Sequence, residues 1–282
     1  MKPLKIFLTL TLLTVLISCT GAGHKDNRIT FDTIRVQETY HLLRDTANPA
    51  CQLTQVFIFP ETWPDTALLS VAQNFFVTAF YGAGYEGYTP QDASERYLNA
   101  YLDKYISLEP DFVEDKEIAE ELSLEAWFSY YEYRRDTILY NRDGLLSFAV
   151  YMSSYTGGAH GYASTSFYSL CVETVERITE DNFFIQDHEK EIAALIVKEL
   201  CVQYDVEEPA QLEELGFFDV KEIFPNGNFF LNDKGITYAF NAYEIAGYVL
   251  GTIEVYLSYT DIKHLLVPDF FEKVATKKKK EG

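Results

Sequence analysis

The stretch Tyr155-Thr156-Gly157-Gly158-Ala159-His160-Gly161 gathers residue types from which chemistry could be built. Three glycines surround one histidine at the end of a segment that alternates like a strand. Glycines reach positive φ at little cost, so successive backbone N–H groups can converge on one concave spot and hold an anion or a carbonyl of a partner chain. An imidazole there could hydrogen-bond a ligand or change its charge near neutral pH. The same residues would also serve as a tight crossover in which His160 caps buried carbonyls. Gly157, Gly158, His160 and Gly161 are therefore candidate ligand-binding residues, with the packed turn as the plainer alternative.

Nucleophilic hydrolysis needs a serine or cysteine, a base within reach and an oxyanion site. Ser153 and Ser154 lie near His160 in sequence, but strand neighbours point to opposite faces and no Gly-X-Ser-X-Gly elbow occurs. An envelope hydrolase acting on peptidoglycan or a small ester around His160 is thus the alternative function, and no catalytic residue is assigned. His24, His41, His160, His188 and His264 never fall at metal-ligand spacing, so neither a metal nor another cofactor is expected. Gly82-Ala83-Gly84-Tyr85-Glu86-Gly87 has dinucleotide-binding spacing, yet a helical pattern precedes it and Thr89-Pro90 interrupts the chain before the next helix starts. It reads as a connector between helices.

Periodicity indicates the elements that must position these residues. Strands are expected over 34–41 and 53–59 around the turn-rich 45–49, and amphipathic helices over 66–81 and 91–108. A shorter acidic helix should cover 111–121. After Leu124 the pattern changes to aromatic alternation, which predicts a strand, a hairpin turn at 141–144, a partner strand over 145–155 and a third over 164–173. Residues 187–204 form the clearest helix, with Asp187 as N-cap, and hairpin-linked strands are expected over 229–231, 236–240 and 250–257. Strand runs and helix runs are segregated, so the expected fold class is α+β, with antiparallel β-sheet regions packed with helices.

The N-terminus begins with Lys2 and Lys5, continues apolar from Ile6 to Ile17 and reaches Leu16-Ile17-Ser18-Cys19. The apolar run is too short to span a bilayer, so residues 1–18 read as a signal peptide. The four residues ending at Cys19 resemble a bacterial lipobox, which would make Cys19 the lipidated first residue of the mature chain. Residues 19–30 would be a tether, 31–270 the folded body, either as one unit or as two subdomains (31–150 and 151–270), and 271–282 a basic tail. The lack of an acidic run directly after Cys19 favours the periplasmic side of a membrane-anchored envelope protein. Nucleic acid binding needs a basic face and is disfavoured by the formal charge of −20, which would instead attract a basic partner. Cys51, Cys171 and Cys201 remain in the body, and an odd count leaves at least one thiol unpaired.

Two blocks carry a resemblance. Tyr155 to Gly161, and Lys234-Gly235-Ile236-Thr237-Tyr238-Ala239-Phe240-Asn241-Ala242-Tyr243-Glu244-Ile245-Ala246-Gly247-Tyr248, resemble signatures of the RsiV-like family of extracytoplasmic domains. That module occurs in RsiV-type anti-sigma factors and in front of PdaC-type peptidoglycan deacetylase domains. The resemblance implies an α+β envelope module whose best-understood relatives bind lysozyme, a strongly basic protein. No sigma-binding segment, membrane helix or deacetylase domain is recognised here, so a stand-alone binding module is expected. Tyr243 and Glu244 join the candidate ligand-binding residues, with Tyr248 beside them. The partner would be a lysozyme-like protein or peptidoglycan.

Overall fold

The computed structural model describes residues 24–117 and 121–272. Cys19, the signal peptide and nearly all of the basic tail lie outside the described residues. The chain folds as α+β, from two sheets and their covering helices. The first sheet has five strands in the order β1 (Phe31–His41), β2 (Ala50–Pro60), β3 (Tyr130–Arg142), β4 (Leu145–Thr156) and β5 (Tyr162–Cys171). Neighbours are antiparallel except β2 and β3, which run parallel with Cys51 opposite Tyr130.

A parallel pair demands a long crossover. Four helices supply it: α1 (Leu69–Tyr81), α2 (Pro90–Ile106), α3 (Glu109–Lys116) and α4 (Glu121–Phe128). In α1, Ala72, Phe76 and Phe80 recur every four residues and face the sheet, where Phe76 stacks on Phe148 with ring centroids 4.1 Å apart. Thr89 caps α2 by accepting from the Asp92 N–H, and Pro90 sits where its missing N–H costs nothing. Residues 124–128 finish as helix rather than strand. Phe128 is buried against Phe112 of α3, so tertiary packing overrides the local aromatic alternation.

After β5 come α5 (Glu180–Phe183), α6 (Glu189–Gln203) and α7 (Ala210–Glu214), then the second sheet, β6 (Phe229–Leu231), β7 (Gly235–Phe240) and β8 (Ile253–Ser258), and finally α8 (Tyr259–Ile262). The second sheet is antiparallel in the order β6-β7-β8. The Ile192, Ile196 and Leu200 side chains of α6 fall on one stripe and are fully buried in the core that also holds Tyr238, Val255 and Leu257. Asp187 does not cap this helix. It adopts φ 62°, and His188 takes the N-cap position without a capping hydrogen bond from its side chain.

Polar side chains join the two sheets. Ser147 of β4 donates to the Leu231 carbonyl, and the Leu231 N–H donates to Ser169 of β5. Beside them, Asn228 and Asn241 act as a surrogate strand along the outer edge of β5. The Asn228 Oδ1 accepts from the Phe167 N–H at 2.7 Å, the Asn241 Oδ1 accepts from the Thr165 N–H at 2.8 Å, and both amide groups donate to the Thr165 carbonyl. A strand edge that would otherwise expose its N–H and C=O row is thereby closed. A division of the body at 150/151 would cut through β4. The N-terminal stretch also docks from His24 onward, since Asn27 accepts from the Gly144 N–H and donates to the Leu145 carbonyl. Cys51, Cys171 and Cys201 are all free thiols.

Candidate functional site

The glycine loop after β4 is shaped by its neighbours. Gly157 and Gly158 adopt φ of 82° and 98°. A Cβ on Gly157 would stand 2.9 Å from the Trp127 carbonyl oxygen, and one on Gly161 would stand 2.8 Å from that of Ser154. Larger residues at these two positions would force the loop off the end of α4 and off β4. The Tyr155 hydroxyl holds the loop from beneath, lying 2.8 Å from the carbonyls of both Ala126 and Gly158.

This architecture does not bury His160. The imidazole is exposed, its Nδ1 lies 3.0 Å from the Gly161 carbonyl, and it caps no interior group. The segment after β7 supplies its partners. Tyr243 takes φ 70° in a tight turn closed by its N–H to the Ala246 carbonyl, a left-handed conformation that aims the phenol outward. The His160 ring stacks on Tyr248 with centroids 4.6 Å apart and planes 30° apart, and Tyr243 lies 5.8 Å from Tyr248. The Tyr248 hydroxyl donates to the Gly161 carbonyl and locks the two loops together. Tyr243 and Tyr248 remain 56% and 41% exposed, so neither is a core residue. The two sheets thus present one solvent-facing ring stack.

Glu244 stands beside the stack, and its carboxylate is held rather than free. It accepts from the Asn226 amide at 2.7 Å and from the Asn241 amide at 3.4 Å. The structure therefore brings His160, Gly161, Tyr243 and Glu244 to one surface, adds Tyr248, and leaves Gly157 and Gly158 as the positive-φ turn of the loop. Among the described residues, neither Ser153 nor Ser154 hydrogen-bonds His160. Nor do the described residues include a His, Cys, Asp and Glu cluster that could hold a metal ion. No helix among them is long and apolar enough to cross a membrane.

Two other polar groupings escaped sequence reasoning because they join residues distant in the chain. His24 lies 2.6 Å from Asp143 and 3.4 Å from Asp233, over a cavity of about 230 Å³ lined by Tyr140, Tyr259 and Phe271. Between the first sheet and its helices, Arg134 donates to the Phe80 carbonyl and to the Tyr97 hydroxyl, and lies 3.4 Å from Glu132. Asp136 and Gln55 are buried on the same face of the sheet. Burial pushes the Tyr81 phenol in this seam up to about 12.

A family described as protein of unknown function (DUF3298) matches residues 180–260, from α5 to the start of α8. A solved structure of a DUF3298 member from Bacteroides fragilis NCTC 9343 is 31% identical, with a TM-score of 0.82 over 90% of this chain and 100% of that one. A DUF3298 protein from Pseudomonas aeruginosa PAO1 shares the fold, at 14% identity and a TM-score of 0.53, over 86% of this chain and 97% of that one. No curated protein sequence matches the chain.

Proposed function

We propose that this chain, which belongs to the DUF3298 family, is a lipid-anchored binding module of the bacterial cell envelope, held through Cys19 on the periplasmic side, whose ligand is a basic, lysozyme-like protein. The observation that carries this reading is the exposed His160–Tyr248–Tyr243 stack with Glu244 beside it. Rigid aromatic side chains give large contact area at a small entropic cost, and such residues dominate binding energy at protein interfaces. The stack is pre-assembled by the Tyr248–Gly161 hydrogen bond, so little ordering is left to be done on association. A net charge of −20 complements a basic ligand, and the resemblance to RsiV-like domains points to the same partner class.

The test is direct binding of the purified protein to lysozyme at low ionic strength, alongside soluble muropeptides. Wild type should bind lysozyme saturably, and Tyr248→Ala, which removes the central ring of the stack, should weaken binding at least about tenfold. Equal affinity in the variant would remove the site from the reading. Binding of muropeptides instead of lysozyme would replace the ligand class. Saturable muropeptide turnover, abolished in His160→Ala, would replace binding by catalysis.

A further inference from the structure

Glu244 also borders a polar cleft of about 340 Å³ at the seam between the two sheets, a size within the small-molecule range. Its floor is the surrogate strand. Asn226, Asn228 and Asn241 spend their amides on the Ala239 and Thr165 carbonyls and on each other's segment, so the floor is fixed. Two charged groups of opposite sign line the cleft, and neither has an ion-pair partner among the described residues. Glu244 is gripped by Asn226 and Asn241. Arg177 lies with its guanidinium 4.9 Å over the Tyr168 ring, and that ring is itself stacked on the buried Phe148 at 5.1 Å.

Exposed charges on long side chains are ordinarily mobile and pair opportunistically. Here each is steadied by a neutral scaffold, an aromatic face in one case and a pair of amides in the other, and no ion pair joins the two. A guanidinium offers a planar fork suited to a carboxylate, and a carboxylate with amides on one side still has lone pairs free for an ammonium group. From this geometry we infer that the cleft is a binding site for a small zwitterion, an α-amino acid or short peptide with both termini free, whose carboxylate meets Arg177 and whose ammonium meets Glu244. The inference goes beyond the protein-binding reading and shares only Glu244 with it, so either can fail alone.

The test monitors the side-chain amide resonances of Asn226, Asn228 and Asn241 in the ¹H–¹⁵N spectrum of the protein. Alanine and alanylalanine are titrated against their one-charge analogues, N-acetylalanine and alanine amide. Both-ends-free probes should shift these resonances saturably, and each capped analogue should bind at least about tenfold more weakly, one lost charged hydrogen bond being enough for that factor. Comparison of alanine with alanylalanine tells a free amino acid from a peptide. Arg177→Gln should cost at least the same factor for the zwitterions while leaving lysozyme binding unchanged, and Tyr248→Ala should do the reverse. Glu244→Gln keeps an acceptor for Asn226 and should lose the preference for a free ammonium. The inference is overturned if no zwitterion shifts the resonances, if capped analogues bind as well, or if Arg177→Gln binds unchanged with native chemical-shift dispersion.

Discussion

Asp136 carries a carboxyl group into the interior with one oxygen bound and the other unanswered. Its Oδ1 accepts from the Ile58 N–H at 2.7 Å, its Oδ2 has no hydrogen-bond partner, and the residue is 2% exposed. Desolvation pushes its pKa up to about 8, against the smaller downward pull of the Ile58 amide. Because the folded value lies above the ordinary carboxylate value, the folded state holds a proton that the unfolded state releases between about pH 4 and about pH 8. Stability should therefore be greatest at the acid end of that window and fall as pH rises, by at most about 1.4 kcal/mol per pH unit. Urea midpoints at pH 5 and pH 8 measure it. Asp136→Asn, whose amide oxygen can still accept from Ile58, should be nearly flat across the same range, and an unchanged slope in the variant would assign the pH dependence elsewhere. Nothing in the sequence marks this residue, since a strand rich in alternating charges, Glu132 to Asp136, looks solvated until α1 and α2 are laid over it. His160 is the opposite case. Its place in a glycine loop after a strand was legible from the residues around it, but its stacking on Tyr248, 88 residues away in the chain, was not.

At the scale of elements, most strands and helices were legible because burial on one face writes a period into the chain. Leu53, Phe57 and Phe59 on β2 and Ile192, Ile196 and Leu200 on α6 are examples. What local pattern cannot encode is who pairs with whom. The parallel contact of β2 with β3 depends on the path of four intervening helices. The closure of β5 depends on two asparagines that read as loop residues in Asn226-Gly227-Asn228 and Phe240-Asn241. Their structural weight is testable. Asn228→Ala would strip the Phe167 N–H of its acceptor and the Thr165 and Ala239 carbonyls of a donor. Backbone groups left unpaired in a partly buried seam cost about 1–3 kcal/mol. The variant should lose about that much stability in urea, and the Phe167 amide should exchange its hydrogen faster than the rest of β5. Unchanged exchange at Phe167 would mean that solvent or a neighbouring side chain replaces the asparagine without loss.

The whole molecule adds long-range electrostatics to the local ring stack. Forty-three acidic residues against 23 basic ones produce a field that extends about one Debye length, near 10 Å at 0.1 M salt. If the ligand is the basic protein proposed above, it would be drawn in by that field before any ring contact forms, and the stack would act only after docking. The two contributions separate kinetically: steering acts on the association rate, and desolvated aromatic contacts act on dissociation. Raising sodium chloride from about 50 to about 500 mM should thus lower the association rate constant for lysozyme by at least about tenfold, within the range by which charge steering accelerates encounters. The dissociation rate constant should change little. Tyr248→Ala should show the converse, a faster dissociation with nearly the wild-type association rate and the same salt slope. Stopped-flow or surface-capture kinetics across the salt series distinguish these outcomes. A salt effect confined to dissociation would mean that Glu244 and its neighbours form close ion pairs in the complex, and that the acidic field as a whole does not guide the ligand to the stack.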